Sequence, residues 1–342
     1  MESRDVATFV DWPSAPAGYR VDADWRDHAI IPVEETVAPT QGWRIVCLVV
    51  TLAVVVASLV VAAVPSATVS MLILVAAAMI GMPHGALDIL AGPLLALRSA
   101  SPAKVAGFAA AYLGCAVAFA AGWFLAPPIG VAAFFAMSWF HFGAGEASGD
   151  REGWTLVRVA HAVSAGGIAI AVPFALHAQR VEPMVNALLF GKVSLSQELI
   201  TLLGCGGSAL ATVGLMIAVD LAAPAERLRV TVELLALAAL FALADPLVSF
   251  GVYFCVWHAP QHTRRVLSQL PSGLPKTSSR LVVVVTTLLP VAVAAYVVMA
   301  HGSANLPSSA VVYQAVFVTL GALTAPHLVI TSVWERRTRS KR

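Results

Sequence analysis

Long apolar blocks separated by short polar stretches set the pattern of this chain. Trp43–Val64, Val105–Leu125, Pro128–Gly145, Leu156–Leu176, Leu199–Asp220, Leu281–Ala300 and Val311–Val333 approach or exceed the roughly 18 apolar residues that a transmembrane helix needs. Three stretches are less regular: Ala67–Leu97 is broken by Pro83 and Pro93, Arg229–Ala244 is short, and Pro246–His262 ends in polar residues. The pattern predicts an all-α, polytopic integral membrane bundle of about eight to ten transmembrane segments, the lower numbers applying if the short stretches are re-entrant.

Composition agrees with this. Hydrophobic residues make up 59% of the 342 and charged ones 12%, against roughly 25% charged in a soluble domain. With the amino-terminal segment placed in the cytoplasm, Arg98/Lys104, Arg151/Arg158, Arg227/Arg229, Arg264/Arg265/Lys276/Arg280 and the Arg336–Arg342 tail all fall on one side, leaving Arg180 and Lys192 outside. The positive-inside rule then predicts both termini in the cytoplasm and an even number of crossings. The net charge of +2 is a topology signal. No basic patch is interleaved with stacking aromatics, which argues against a nucleic-acid groove.

The expected organisation is a polar cytoplasmic segment at 1–42, a transmembrane catalytic domain at 43–335 and a basic cytoplasmic tail at 336–342. Residues 1–42 are acidic and show no positively charged start followed by an apolar run, so no cleavable signal peptide is expected, and His28 reads as a solvated residue. Cys47, Cys115, Cys205 and Cys255 lie one per apolar segment with no C-x-x-C, so they read as small packing residues. No internal repeat, P-loop or G-x-G-x-x-G is present, and the glycine pairs read as helix-packing surfaces.

Against that background the histidines stand out. His84, His141, His258, His262 and His327 interrupt apolar stretches, and an ionisable group inside a bilayer is a functional hypothesis by default. At about 1.5 Å of rise per residue, all five fall at similar depth in the cytoplasmic half. His258 and His262 are an i, i+4 pair whose rings share a face if the segment stays helical; Pro260 between them either kinks the helix and aims the rings or marks a segment that is not a regular helix. His84 and Asp88 form a second i, i+4 pair, and a carboxylate on the far nitrogen of a ligating imidazole is the common supporting arrangement. Asp88 is therefore an orienter rather than a ligand. Pro83 fits the first turn of a helix resuming after a break. His327 reads either as a supporting residue or as an interhelical hydrogen-bond partner, and Glu146 as a supporting carboxylate or an interfacial charge. His161, His177 and His301 read as interhelical hydrogen-bond partners.

A metal held by His84, His141, His258 and His262 follows as the leading expectation. Imidazole suits zinc, copper, iron and nickel alike, so these residues leave the element open. Four neutral ligands do not offset the ion's charge, which favours a site completed by an exogenous ligand over a closed structural one. Bis-histidine haem would more naturally use facing helices than an H-x-x-x-H pair. Clustered H-x-x-H-H boxes of two-metal desaturases are absent.

The run Pro83-His84-Gly85-Ala86-Leu87-Asp88, the segment Phe140-His141-Phe142-Gly143, Trp257-His258 with His262 four residues later, and Pro326-His327 with Glu335 resemble the Brp/Blh family. These are membrane β-carotene 15,15′-dioxygenases that make retinal for microbial rhodopsins. The likeness runs from about Ala67 to Glu335, and it is the order and separation of the motifs that make it specific. It implies an enzyme of a bacterial or archaeal cytoplasmic membrane holding one Fe(II) through His84, His141, His258 and His262, with β-carotene and O2 as substrates. Such a reaction draws no external electrons, consistent with the lack of a nicotinamide or flavin motif. The polyene can enter from the lipid bilayer, and Phe134, Phe135, Trp139, Phe140, Phe142, Tyr253, Phe254 and Trp257 are the aromatic candidates to line its path. Two other classes are compatible with buried ionisable groups. A transporter would usually add an inverted repeat and acidic residues in its spans, and a non-catalytic carotenoid-binding or rhodopsin-assembly protein would keep the aromatics without needing the histidines.

Overall fold

The computed structural model describes residues 41–61, 66–82, 84–85, 87–88, 92, 102–147, 155–267 and 308–339. Their helices are α1 (Gln41–Val61), α2 (Ala67–Gly81), α3 (Pro102–Leu125), α4 (Pro127–Glu146), α5 (Leu156–Leu176), α6 (Ala178–Leu188), α7 (Gln197–Leu221), α8 (Pro224–Leu243), α9 (Pro246–Val252), α10 (Ala259–Leu267) and α11 (Ser308–Arg339), with a π-helical segment at Tyr253–His258 joining α9 to α10. No strand occurs among the described residues. The predicted stretch Leu281–Ala300 and His301 lie outside them. Within the described residues the other predicted stretches fall on helices, with Pro246–His262 divided among α9, the π segment and α10.

Local chemistry sets several boundaries. Thr155 and Ser196 place their side-chain oxygens to accept from the backbone N–H of Arg158 and Leu199, capping α5 and α7. Prolines in the first turn open α4, α8 and α9, where a missing N–H costs nothing. The apolar pattern marks no element at 178–188, which forms the short helix α6. It is fixed from outside: Trp123 Nε1 donates to Leu188 O at 3.1 Å and Gln314 Nε2 to Ala187 O at 2.8 Å.

Among the described residues, five helices are long and apolar enough to cross a membrane: Gln41–Val61, Ala106–Leu125, Leu156–Leu176, Gln197–Leu221 and Ser309–Val333. Their outward faces are apolar, with Val60 76%, Leu125 85% and Leu202 68% exposed, as lipid contact requires. The molecule is an all-helical, multi-pass membrane bundle. α8 has comparable length, but its first half carries Glu226, Arg227, Arg229 and Glu233.

Small residues bring the central helices together. A Cβ on Gly143 of α4 would collide with the Ala162 carbonyl of α5, and one on Gly204 of α7 with the backbone at Ala175 of α5. Close backbone approach of this kind is how helices associate where lipid removes the usual hydrophobic drive. The predicted glycine packing surfaces are thus present, and α4, α5 and α7 form one tightly packed layer. α2, α9, the π segment and α11 pack beside it.

Candidate metal centre

Five elements each deliver an imidazole to one place. His84 comes from the helical turn that resumes beyond α2, His141 from α4, His258 from the end of the π segment, His262 from α10 and His327 from α11. None is more than 9% exposed. Ring centroids lie 4.5 Å apart for His141 and His258, 4.7 Å for His141 and His327, 4.7 Å for His262 and His327, and 5.3–5.5 Å between His84 and each of His258, His262 and His327. Ligand-capable atoms gather in two adjoining trios, His84/His141/His258 and Asp88/His262/His327, each within 4.8 Å.

The hydrogen-bond pattern shows which nitrogens are left for an ion. His84 Nδ1 meets the Gly81 carbonyl, which fixes the ring and leaves Nε2 free. The Nε2 atoms of His141 and His258 face each other at 2.8 Å, a separation that suits a shared proton or two donors to one cation. His327 Nδ1 is 2.5 Å from Asp88 Oδ2. The Nε2 atoms of His262 and His327 are buried with no hydrogen-bond partner, an arrangement that costs free energy unless something binds them. Convergent neutral imidazoles with orphaned Nε2 atoms fit a divalent transition metal.

One expectation needs correction here, and one conditional reading is decided. Asp88 does not orient His84; the backbone at Gly81 does, because the chain turns at Met82 and carries the carboxylate across to α11. His258 and His262 do not sit on one regular α-helix. The backbone widens to a π turn through His258, with Ala259 N–H bonded to Phe254 O, and the two rings enter different trios. Pro260 supplies the physical reason: it has no N–H for the Val256 carbonyl, and the Cys47 thiol donates to that carbonyl instead, at 3.3 Å.

A mainly apolar cavity opens onto three of the rings, His84, His141 and His327, and runs between aromatic walls toward Pro173 and Met184. Phe134, Phe135, Phe142, Phe174, Phe250 and Phe254 supply much of its surface. Phe250 and Phe254 are stacked at 5.3 Å, and Phe254 meets the His84 ring edge-on at 5.3 Å.

Residues 75–335 match the family model described as beta-carotene 15,15′-dioxygenase, a stretch that holds all five histidines. The chain belongs to the β-carotene 15,15′-dioxygenase family. It is similar to the probable beta-carotene 15,15′-dioxygenase Blh of Halobacterium salinarum, with 30% identity over 211 residues, 57% of this chain and 61% of that protein. It is also similar to the beta-carotene 15,15′-dioxygenase of uncultured marine bacterium 66A03, with 26% identity over 256 residues, 73% of this chain and 88% of the relative. The match thus spans about three-fifths of the archaeal relative's length. No solved structure matches the chain.

In this family member the aromatic candidates divide by helix face. Phe142 and Phe254, with Phe134 and Phe135, line the cavity. Trp139, Phe140, Tyr253 and Trp257 do not. The Trp139 indole donates to Val163 O at 3.1 Å inside the α4–α5 contact, Phe140 is 47% exposed, and Trp257 Nε1 donates to Thr51 Oγ1 at 2.9 Å on the side facing α1. Tyr253 OH donates to Glu146 Oε1 at 3.4 Å, so Glu146 stands one side chain away from His258. Phe174, Phe241, Phe250 and Phe317 of the lining were not singled out from the sequence. His177 caps the end of α5 and bonds Ala242 O at 3.1 Å, the structural role expected of it.

Proposed function

We propose that this family member is a membrane-embedded non-haem Fe(II) dioxygenase that cleaves the central 15,15′ double bond of β-carotene with O2, giving two all-trans-retinal, and that His84, His141, His258 and His262 hold the iron. The observation that carries the reading is the meeting of the buried imidazoles with the inner end of the aromatic-walled cavity. Balance requires nothing further: the C=C bond breaks, each of its carbons takes one oxygen atom, and the polyene supplies all the electrons. Iron held there would supply dioxygen activation beside the bond to be cut. The chain's own residues bind, orient and exclude water. Phe254 and Phe142 present aromatic surface next to the imidazoles, where it can stabilise positive charge developing on a polyene. The apolar walls keep water from the reacting carbons.

The substrate is an apolar molecule comparable in length to the ~30 Å hydrocarbon layer, so lateral entry from lipid suits it, and the aldehyde product can leave the same way to a microbial rhodopsin. In this reading residues 1–42 and 336–342 lie in the cytoplasm, the span between them is the catalytic domain, and the membrane is a bacterial or archaeal inner one. The test is expression in a β-carotene-producing bacterial host, with chromatography of the extracted pigments. Retinal in the parent and its loss in His258→Ala is the expected result. Persistence of β-carotene in both, with membrane expression and iron supply verified, would move the chain to carotenoid binding or transport.

A further inference from the structure

The Asp88–His327 pair has no part in a four-histidine centre, yet it is built into the same space. His327 is 3% exposed, and its ring lies 4.7 Å from both His141 and His262 and 5.5 Å from His84, so it touches both trios of donors. Its Nδ1–H donates to Asp88 Oδ2 at 2.5 Å, which fixes the tautomer with a bare Nε2, and that Nε2 is buried without a partner. A tautomer set by a carboxylate behind the ring, with the opposite nitrogen facing a cluster of imidazoles, is the arrangement of a metal ligand and not of an interhelical tether. A tether would have both nitrogens occupied or one in water. Asp88 itself is committed to that hydrogen bond, 3% exposed and facing α11. It therefore acts through His327 and is not a donor in its own right.

From this geometry we infer that His327 is a fifth protein donor to the ion held by His84, His141, His258 and His262, and that Asp88 is its positioning residue. The inference rests on the metal reading above and adds to it. α11 thereby closes the centre from the cavity side, since His327 lines the cavity whereas His258 and His262 do not.

The test uses the full chain purified in detergent, stripped of metal and titrated with Co(II), whose visible absorption responds to the number and arrangement of its ligands. The parent is expected to take up one Co(II). His327→Ala should alter the band and weaken the apparent affinity more than Asp88→Asn does. Asp88→Asn should keep the parent band with an affinity lower by roughly 10–100-fold, the usual cost of losing a supporting partner. If the alanine variant does not elute as the parent does, His327→Gln, closer in volume, is measured in its place. A parent band and parent affinity in the His327 variant would overturn the fifth donor and leave the metal reading intact. Two Co(II) per parent chain, one of them lost with His327, would also overturn it, in favour of a second ion between Asp88, His262 and His327. A parent that binds no Co(II) or Fe(II) would instead remove the metal reading on which the inference rests.

Discussion

Thr51 shows how a single buried hydroxyl ties the centre to the rest of the molecule. It is 1% exposed and accepts from the Trp257 indole at 2.9 Å, one residue before His258. Trp257→Phe leaves that hydroxyl without its donor, and a buried polar group stripped of its partner costs about 1–3 kcal/mol. The expected outcome is a lower unfolding midpoint in detergent, with part of the loss recovered in the double variant Trp257→Phe/Thr51→Val, which removes both groups. Thermal unfolding of the parent, Trp257→Phe, Thr51→Val and the double variant reads the coupling directly. The histidines were legible in the sequence because a titratable ring is conspicuous in an apolar run. The cavity wall was legible only in part. Trp139 and Phe140 adjoin His141 in sequence, but successive residues on a helix diverge by about 100°, and the side chains that share a face with His141 are three, four and seven residues away. Ser138 and Phe134 satisfy that spacing and line the cavity with it.

Among the elements, the π segment has the most specific sequence cause. Its residues Tyr253–His258 are apolar throughout up to the histidine, so no periodicity distinguishes a π turn from an α turn there; Pro260 signals an interruption without fixing its form. Restoring the N–H with Pro260→Ala allows the Val256 carbonyl its α-helical partner and lets the segment relax toward a regular helix. His258 and His262 would then take the i, i+4 relation that the sequence suggested, at the expense of the two-trio arrangement. On the proposed iron reading, bound iron should fall while far-UV circular dichroism stays that of the parent, and unchanged iron content would show that the π turn does not aim these rings. The short helix α6 escaped the sequence reading for another reason. Its fixed points, Trp123 and Gln314, are 65 and 127 residues from their partners, and nothing local encodes such contacts.

Taken whole, the bundle is arranged around backbones that touch. α5 is pressed by α4 on one side and α7 on the other, and both contacts are possible because Gly143 and Gly204 carry no Cβ. Gly204→Leu forces α7 away from α5, and overpacking of this order costs typically 1–3 kcal/mol. A lower midpoint for Gly204→Leu than for Gly206→Leu, where a Cβ meets nothing within 4 Å, is the expected comparison. The membrane-bundle fold was the most legible level of all, since length and apolarity alone decide it. Which helices lie against one another was not, because lipid-facing and protein-facing sides are equally apolar and only the glycines mark the difference.

α1 lies before the residues that match the family, which begin at 75. It nevertheless holds the π segment at consecutive residues, through Cys47 on Val256 and Thr51 on Trp257, and anchors its own amino-terminal end by Arg44 on Glu233 at 2.6 Å. Anyone building a chimera from this chain and a relative therefore inherits a matched lock: α1 and residues 256–260 travel together or are redesigned together, because a foreign α1 would leave a bare carbonyl and a bare indole N–H in the residues just before His258.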